Sequence, residues 1–136
     1  LYGWPEGATR HWCGDRDQGD VWHFNKPRVN DLHPTMKPVE LVERAIRNSS
    51  RPGNMVLDPF GGSGTTLIAA EKSGRIARLI ELDPKYVDVI VRRWEDFTGK
   101  QATREADGAV LDQAASEIRA AGQRAGRLAA SGGDGT

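Results

Sequence analysis

The sequence is short of the features that mark several protein classes. Its single cysteine, Cys13, excludes an internal disulfide and suits a reducing compartment. Its 19 Lys and Arg residues balance 19 Asp and Glu, so the formal net charge is zero. Charge as a whole therefore exerts no general pull toward nucleic acid, although a local basic face is compatible with that balance. No apolar run approaches the ~20 residues that a membrane-spanning helix needs, and no signal peptide is visible. A cytoplasmic protein without a membrane partner is the expectation. His11, Cys13 and His23 lack the spacing of zinc ligands, so no metal site is expected. At 136 residues there is room for one domain, and no internal repeat divides it. The chain opens at Leu1 in a Trp-rich stretch, without Met, and reads as the interior of a longer sequence.

What is present falls into zones. Residues 1–32 carry Tyr2, Trp4, Trp12, Trp22 and Phe24 among turn formers, with a short strand expected over Val21–Phe24. The two prolines of His33-Pro34-Thr35-Met36-Lys37-Pro38 bar regular helix until Pro38, which suits a first helical position. A helix over about Val39–Asn48 follows, with Leu41, Val42, Ala45 and Ile46 on one apolar face. Arg51-Pro52-Gly53 is a stop and turn. Met55-Val56-Leu57 reads as a strand buried on both faces, as in a parallel sheet. Thr65–Lys72 reads as helix ended by Gly74, and Ile76–Leu82 as the second strand. Asp83 and Pro84 cap and open a further helix lined by Tyr86, Val87, Ile90, Val91 and Trp94. Arg92, Arg93 and Lys100 read as its solvated face. From about Thr103 the composition turns Ala- and Gly-rich. One marginal helix around Leu111–Ile118 and disorder over Ser131–Thr136 are expected there.

The chemistry concentrates where the first strand meets its helix, at Asp58-Pro59-Phe60-Gly61-Gly62-Ser63-Gly64-Thr65-Thr66. Glycines at such a turn let a ligand approach the backbone, and the helix start offers unpaired N–H groups. In dinucleotide folds these groups hold a pyrophosphate. Here Asp58 would repel a phosphate. It suits a ligand with a positive end, such as the amino acid part of S-adenosylmethionine. Glu81, closing the next apolar run, is placed to accept hydrogen bonds from a ribose diol. A P-loop would need a lysine after Gly64, and a dinucleotide fingerprint a small residue where Leu67 stands.

These residues together resemble a known family. His33-Pro34-Thr35-Met36-Lys37-Pro38, then Asp58-Pro59-Phe60-Gly61-Gly62-Ser63-Gly64-Thr65, then Glu81-Leu82-Asp83-Pro84-Lys85-Tyr86 is similar in order to DNA methyltransferases of exocyclic amines, adenine N6 or cytosine N4. The likeness covers about residues 20–102 and is to the permuted, β-type members, whose catalytic motif precedes the cofactor motifs. It implies an α/β, Rossmann-like fold of which this chain holds the C-terminal portion. It implies S-adenosylmethionine as cofactor, duplex DNA as partner and a place in restriction-modification. Thr35 and Lys37 would lie near the methionine end. Asp58 would take the ammonium, Phe60 and the Gly62, Ser63, Gly64 and Thr65 backbone would line the pocket, Glu81 would bind the ribose, and Leu82 or Asp83 would flank the adenine. Residues 1–32 would end a target-recognition or linker region, 33–102 would bind cofactor, and 103–136 would be a tail.

Two departures qualify what the resemblance implies. Where family members often carry an aromatic-Gly pair, this chain has Arg78-Leu79. Arginine inside a strand is costly unless it reaches solvent. Further, the family holds the flipped base's amine with an Asp/Asn/Ser-Pro-Pro-aromatic motif, and no two prolines are adjacent in this sequence. No catalytic residue is therefore assigned. The isolated chain is expected to be inactive unless a second chain supplies the N-terminal half. The alternatives are a non-catalytic fragment that binds cofactor or a partner, and a methyltransferase of RNA or small molecules. Arg10, Arg16, Lys26 and Arg28 are candidate phosphate contacts, with Asp15, Asp17 and Asp20 interleaved.

Overall fold

The computed structural model describes residues 3–9, 11–25 and 36–112. The chain divides into two compact units, Leu1–Thr98 and Gly99–Thr136. The first is an α/β unit with elements in the order α1 (Val39–Ser49), β1 (Met55–Asp58), α2 (Thr65–Ser73), β2 (Ile76–Leu79) and α3 (Pro84–Thr98). Pro38 stands one residue outside α1 rather than inside it. Its ψ of 135° is extended, and Val39 opens the helix. The strand expected over Val21–Phe24 does not form. That segment is irregular, and the Trp22 indole turns back to donate to the Gly19 carbonyl at 3.0 Å.

β1 and β2 pair in parallel with Met55 opposite Ile76 and Asp58 opposite Leu79. β2 ends at Leu79, short of the expected Leu82, because its partner turns away. The Ile80 N–H still donates to the Asp58 carbonyl at 3.0 Å, but the Ile80 carbonyl is taken by the Gly61 N–H at 2.8 Å. Side chains alternate across a strand, so Val56 and Ala77 face one way and Met55, Leu57, Ile76 and Arg78 the other. Val56 and Ala77 pack on a core of Ile46, Ala69 and Ala70 supplied by α1 and α2. The opposite face is bare: Met55 is 64% and Leu57 67% exposed. Burial on both sides, expected for this strand, is thus corrected to burial on one. Arg78 avoids the desolvation cost because its face is open, and it is exposed.

Three features fasten α1 to α2. Ala69 and Ala70, both 0% exposed, leave room for close helix approach. Glu43 on α1 bridges to Lys72 on α2 at 3.0 Å and to Arg47 on its own helix at 2.8 Å. Burial would raise the Glu43 carboxyl, but hydrogen bonds from Lys72 and Arg47 outweigh it and hold the group below its ordinary value. Arg75 secures the far ends. It is buried, and its guanidinium donates to the Ser50 carbonyl at 2.7 Å, to Ser50 Oγ at 3.1 Å and to the Ser73 carbonyl. One cation thereby closes the C-termini of both helices, where carbonyls are otherwise unpaired and the helix dipole is negative. Gly74 ends α2 at φ 70°, the left-handed geometry expected there.

The N-terminal segment docks on α1 through amides. Gln18 and the buried Asn48 exchange hydrogen bonds at 2.9 and 2.8 Å, and Arg44 Nε donates to Gln18 Oε1 at 3.0 Å. The Arg44 guanidinium stacks on the Trp22 ring, 4.5 Å from its centroid. In the second unit the described residues form a loop closed by an antiparallel bridge between Thr103 and Val110. Arg104 pairs with Asp107 there and, with the Ala109 N–H, lowers the Asp107 carboxyl to about 2. Most of the helix expected around Leu111–Ile118, and all of Ser131–Thr136, lie outside the described residues.

Replacing Arg75 with Met should lower stability by about 2–4 kcal/mol in a denaturant titration, because hydrogen bonds to a charged group are worth about 1.5–3 kcal/mol each. A loss below about 0.5 kcal/mol would mean that Arg75 does not hold the two helix ends.

Candidate cofactor site

The turn between β1 and α2 is rich in glycine, and Asp58 and Glu81 meet on it. Asp58 ends β1, half-buried. Its Oδ1 accepts the Phe60 N–H at 3.0 Å, and its Oδ2 accepts the Thr66 hydroxyl at 2.6 Å. The carboxylate thus ties the entry of the turn to the first turn of α2. Glu81 lies two residues beyond the end of β2 and is also half-buried. Its Oε2 accepts the Gly62 N–H at 2.7 Å and its Oε1 the Asp83 N–H at 3.0 Å. Two carboxylates therefore bracket one glycine turn, from the ends of neighbouring strands.

Gly64 shows why the turn needs glycine. It caps α2 at φ 75°, and a Cβ there would lie 3.1–3.4 Å from Ile90 of α3. Having no side chain, it gives α2 no cap hydrogen bond, so the helix start keeps its unpaired donors. Gly62 is the opposite case: a Cβ on it would meet only the Phe60 carbonyl, at 3.9 Å. The turn therefore has a back, pressed on α3, and an open side at Gly62. Phe60, within the turn, and Leu82, next to Glu81 in sequence, are apolar yet 85% and 96% exposed.

The other expected site residues divide. Ser63 and Thr65 are buried and held near each other, Oγ to Oγ1 at 3.4 Å, on the side of the turn that meets α3. Asp83 is engaged as the cap of α3, accepting the Lys85 N–H at 2.9 Å through Oδ1. Lys37 is exposed just before α1, and among the described residues no hydrogen bond or ion pair ties it to the turn. Thr35 lies outside the described residues. Thr66 was missed by sequence reasoning, although its place in the first turn after an acidic strand end was a usable signal.

The arrangement passes a chemical test for a ligand with a cationic end and fails one for a phosphate. The two side chains that reach the turn from the strand tips are acids, no lysine stands among them, and the one arginine in contact, Arg93, bonds the Ser63 carbonyl. The bare backbone at Gly62 leaves main chain for a ligand to approach. A cavity of about 1060 Å³ lies elsewhere, between the segment around Trp12 and Gln18 and the helix positions Arg44 and Asn48. Its amide groups bond to each other, and it contains neither strand-tip acid. Among the described residues no group of His, Cys, Asp or Glu is placed to hold a metal, and no helix is long and apolar enough to cross a membrane.

Comparison with known proteins adds an independent line. A family model described as DNA methylase (N6_N4_Mtase) matches residues 8–92. The chain is 46% identical over 79 residues to Type II methyltransferase M1.MboII of Moraxella bovis, covering 52% of this chain and 30% of that protein. It is 47% identical over 81 residues to DNA adenine methyltransferase YhdJ of Escherichia coli K12, covering 55% and 27%. Among solved structures, the M1.HpyAVI–SAM complex is 33% identical, with a TM-score of 0.44, covering 54% of this chain and 44% of that one. The chain thus spans about a third or less of the length of these curated relatives.

Substituting Gly64 with Ala should cost about 2 kcal/mol or more in thermal unfolding, from left-handed strain and the Ile90 contact together. A neutral Gly64→Ala variant would show that the turn does not need this geometry.

Proposed function

The chain belongs to the N6/N4 DNA methylase family, and from that premise we propose that it forms the cofactor-binding C-terminal part of a DNA methyltransferase. The enzyme would transfer a methyl group from S-adenosylmethionine to adenine N6 or cytosine N4 of duplex DNA. The observation that carries this reading is the pair Asp58 and Glu81 on one glycine turn, inside the matched residues. When bound, the cofactor supplies a methyl group on a sulfonium, an electrophile that needs no metal.

This chain's own part in the chemistry is to bind and orient. Asp58 offers a carboxylate to the ammonium, with its own position fixed by Phe60 N–H and Thr66. Glu81 offers acceptors to ribose hydroxyls, charged acceptors being worth about 1.5–3 kcal/mol per hydrogen bond. Phe60 and Leu82 supply exposed apolar surface for the adenine, and Asp83, next to Leu82 in sequence, is the α3 cap. Thr35 and Lys37 are proposed for the methionine end on the resemblance alone.

No residue here is assigned to the activation of the target amine, because the Pro-Pro motif that would hold it is not in this sequence. The bare sheet face at Met55, Leu57 and Ile76 agrees with the proposal that further polypeptide, in the same or a second chain, completes the enzyme. The isolated chain is then a cofactor-binding fragment that does not turn over. Residues 33–102 are its cofactor-binding part, 1–32 the end of a recognition or linker region, and 103–136 a tail.

Calorimetry with S-adenosylmethionine on the wild type and on Glu81→Ala tests the reading. The wild type should bind, and the variant should bind about tenfold or more weakly. Equal binding by both would remove Glu81 from its role, and no heat from the wild type would contradict the cofactor assignment.

A further inference from the structure

The back of the glycine turn is held by a residue that sequence reasoning placed in solvent. Arg93 of α3 is half-buried, not on a solvated face. Its Nη1 donates to the Ser63 carbonyl at 2.9 Å and lies 3.3 Å from Thr65 Oγ1 and 3.5 Å from Ser63 Oγ. Ile90, one turn earlier on the same side of α3, is the residue that a Cβ on Gly61 or Gly64 would strike, each at 3.1 Å. α3 therefore presents an apolar wedge and a cation to the rear of the turn.

The cation is in an expensive place. Burial lowers the Arg93 pKa from its ordinary value. Among the described residues no carboxylate pairs with it, and it sits by a helix start, where the dipole is already positive. An apolar side chain would fill the same space at less cost. What it could not do is grip a carbonyl.

The gripped carbonyl belongs to the peptide that sets the shape of the turn. In a trans peptide the C=O and the following N–H point in opposite directions. The Ser63 C=O is held by Arg93, and the N–H at the other end of that peptide, Gly64, donates to the Gly61 carbonyl at 2.8 Å. The plane is thus fixed at both ends. A flip would break both bonds, release Gly64 from φ 75° and turn a carbonyl oxygen away from α3.

We propose that Arg93 is a positioning residue of the cofactor turn, locking the Ser63–Gly64 peptide so that the open side at Gly62 keeps its binding shape. Its relevance to cofactor rests on the function proposed above; its action on the turn does not. A Lys side chain offers a donor but not the planar fork, so it should restore the grip only in part.

The test uses the full chain, with Arg93→Met and Arg93→Lys, and reads amide hydrogen exchange residue by residue together with calorimetry on S-adenosylmethionine. Arg93→Met should speed exchange at Gly64 and Gly62 at least tenfold while Val56 and Leu57 in β1 stay as in the wild type. Arg93→Lys should fall between. Cofactor affinity should drop in the same order. Unchanged exchange at Gly62 and Gly64 would overturn the proposal, as would an equal rise at every amide, which marks a loss of global stability. A wild type that binds no cofactor would sink the functional reading, while the exchange pattern would still decide whether Arg93 locks the turn.

Discussion

The hydrogen bond from the Gly62 N–H to Glu81 Oε2, at 2.7 Å, is the constraint on which the site depends. It joins the end of the second strand to the turn that follows the first. The parallel register that sets Asp58 opposite Leu79 brings the segment beyond β2, with Glu81, beside the turn beyond β1. A slip of one residue would displace Glu81 and leave Gly62 without its acceptor. Asp58 then fixes the other side of the turn through Phe60 and Thr66, and α3 closes the rear. The turn is tied from three sides, although Gly61, Gly62 and Gly64 carry no side chain.

Register of this kind needs a firm platform, and the helices supply it. Ala69 and Ala70 allow α1 and α2 to pack closely over Val56 and Ala77, and Arg75 binds the helix ends together. The other face of the two-stranded sheet carries Met55, Leu57 and Ile76 in the open. A sheet of this size is marginal by itself. In the proposed enzyme, the same face is where additional structure would pack.

Much of the site was legible in the sequence because its signals are local. An apolar strand, an acid at its tip, a run of glycines and a helix start occupy adjacent positions, and each constrains the backbone directly. Apolar pattern and end signals gave α1 and α2 to within a residue at either end, and the start of α3. What escaped depended on distant partners. Arg93 reads as surface beside Arg92, yet it shares a helix face with Ile90, and only the packed structure shows that the Ser63 carbonyl lies in reach. Arg75, preceding a strand, gives no local sign that it closes two helices. The double burial expected of Met55–Leu57 failed because burial depends on what packs against a strand as well as on its composition. Val21–Phe24 has strand-like residues but no partner strand among the described residues, and propensity without pairing does not make a strand.

The most direct test is where the cofactor touches this protein. In a titration of the ¹⁵N-labelled chain with S-adenosylmethionine, the amide signals of Phe60, Gly62 and Asp83, whose N–H groups the two acids hold, should shift together. Those of Trp12, Gln18 and Asn48, which line the separate cavity, should stay in place. Shifts confined to the Trp12–Asn48 cavity, or none at saturating cofactor, would contradict the account.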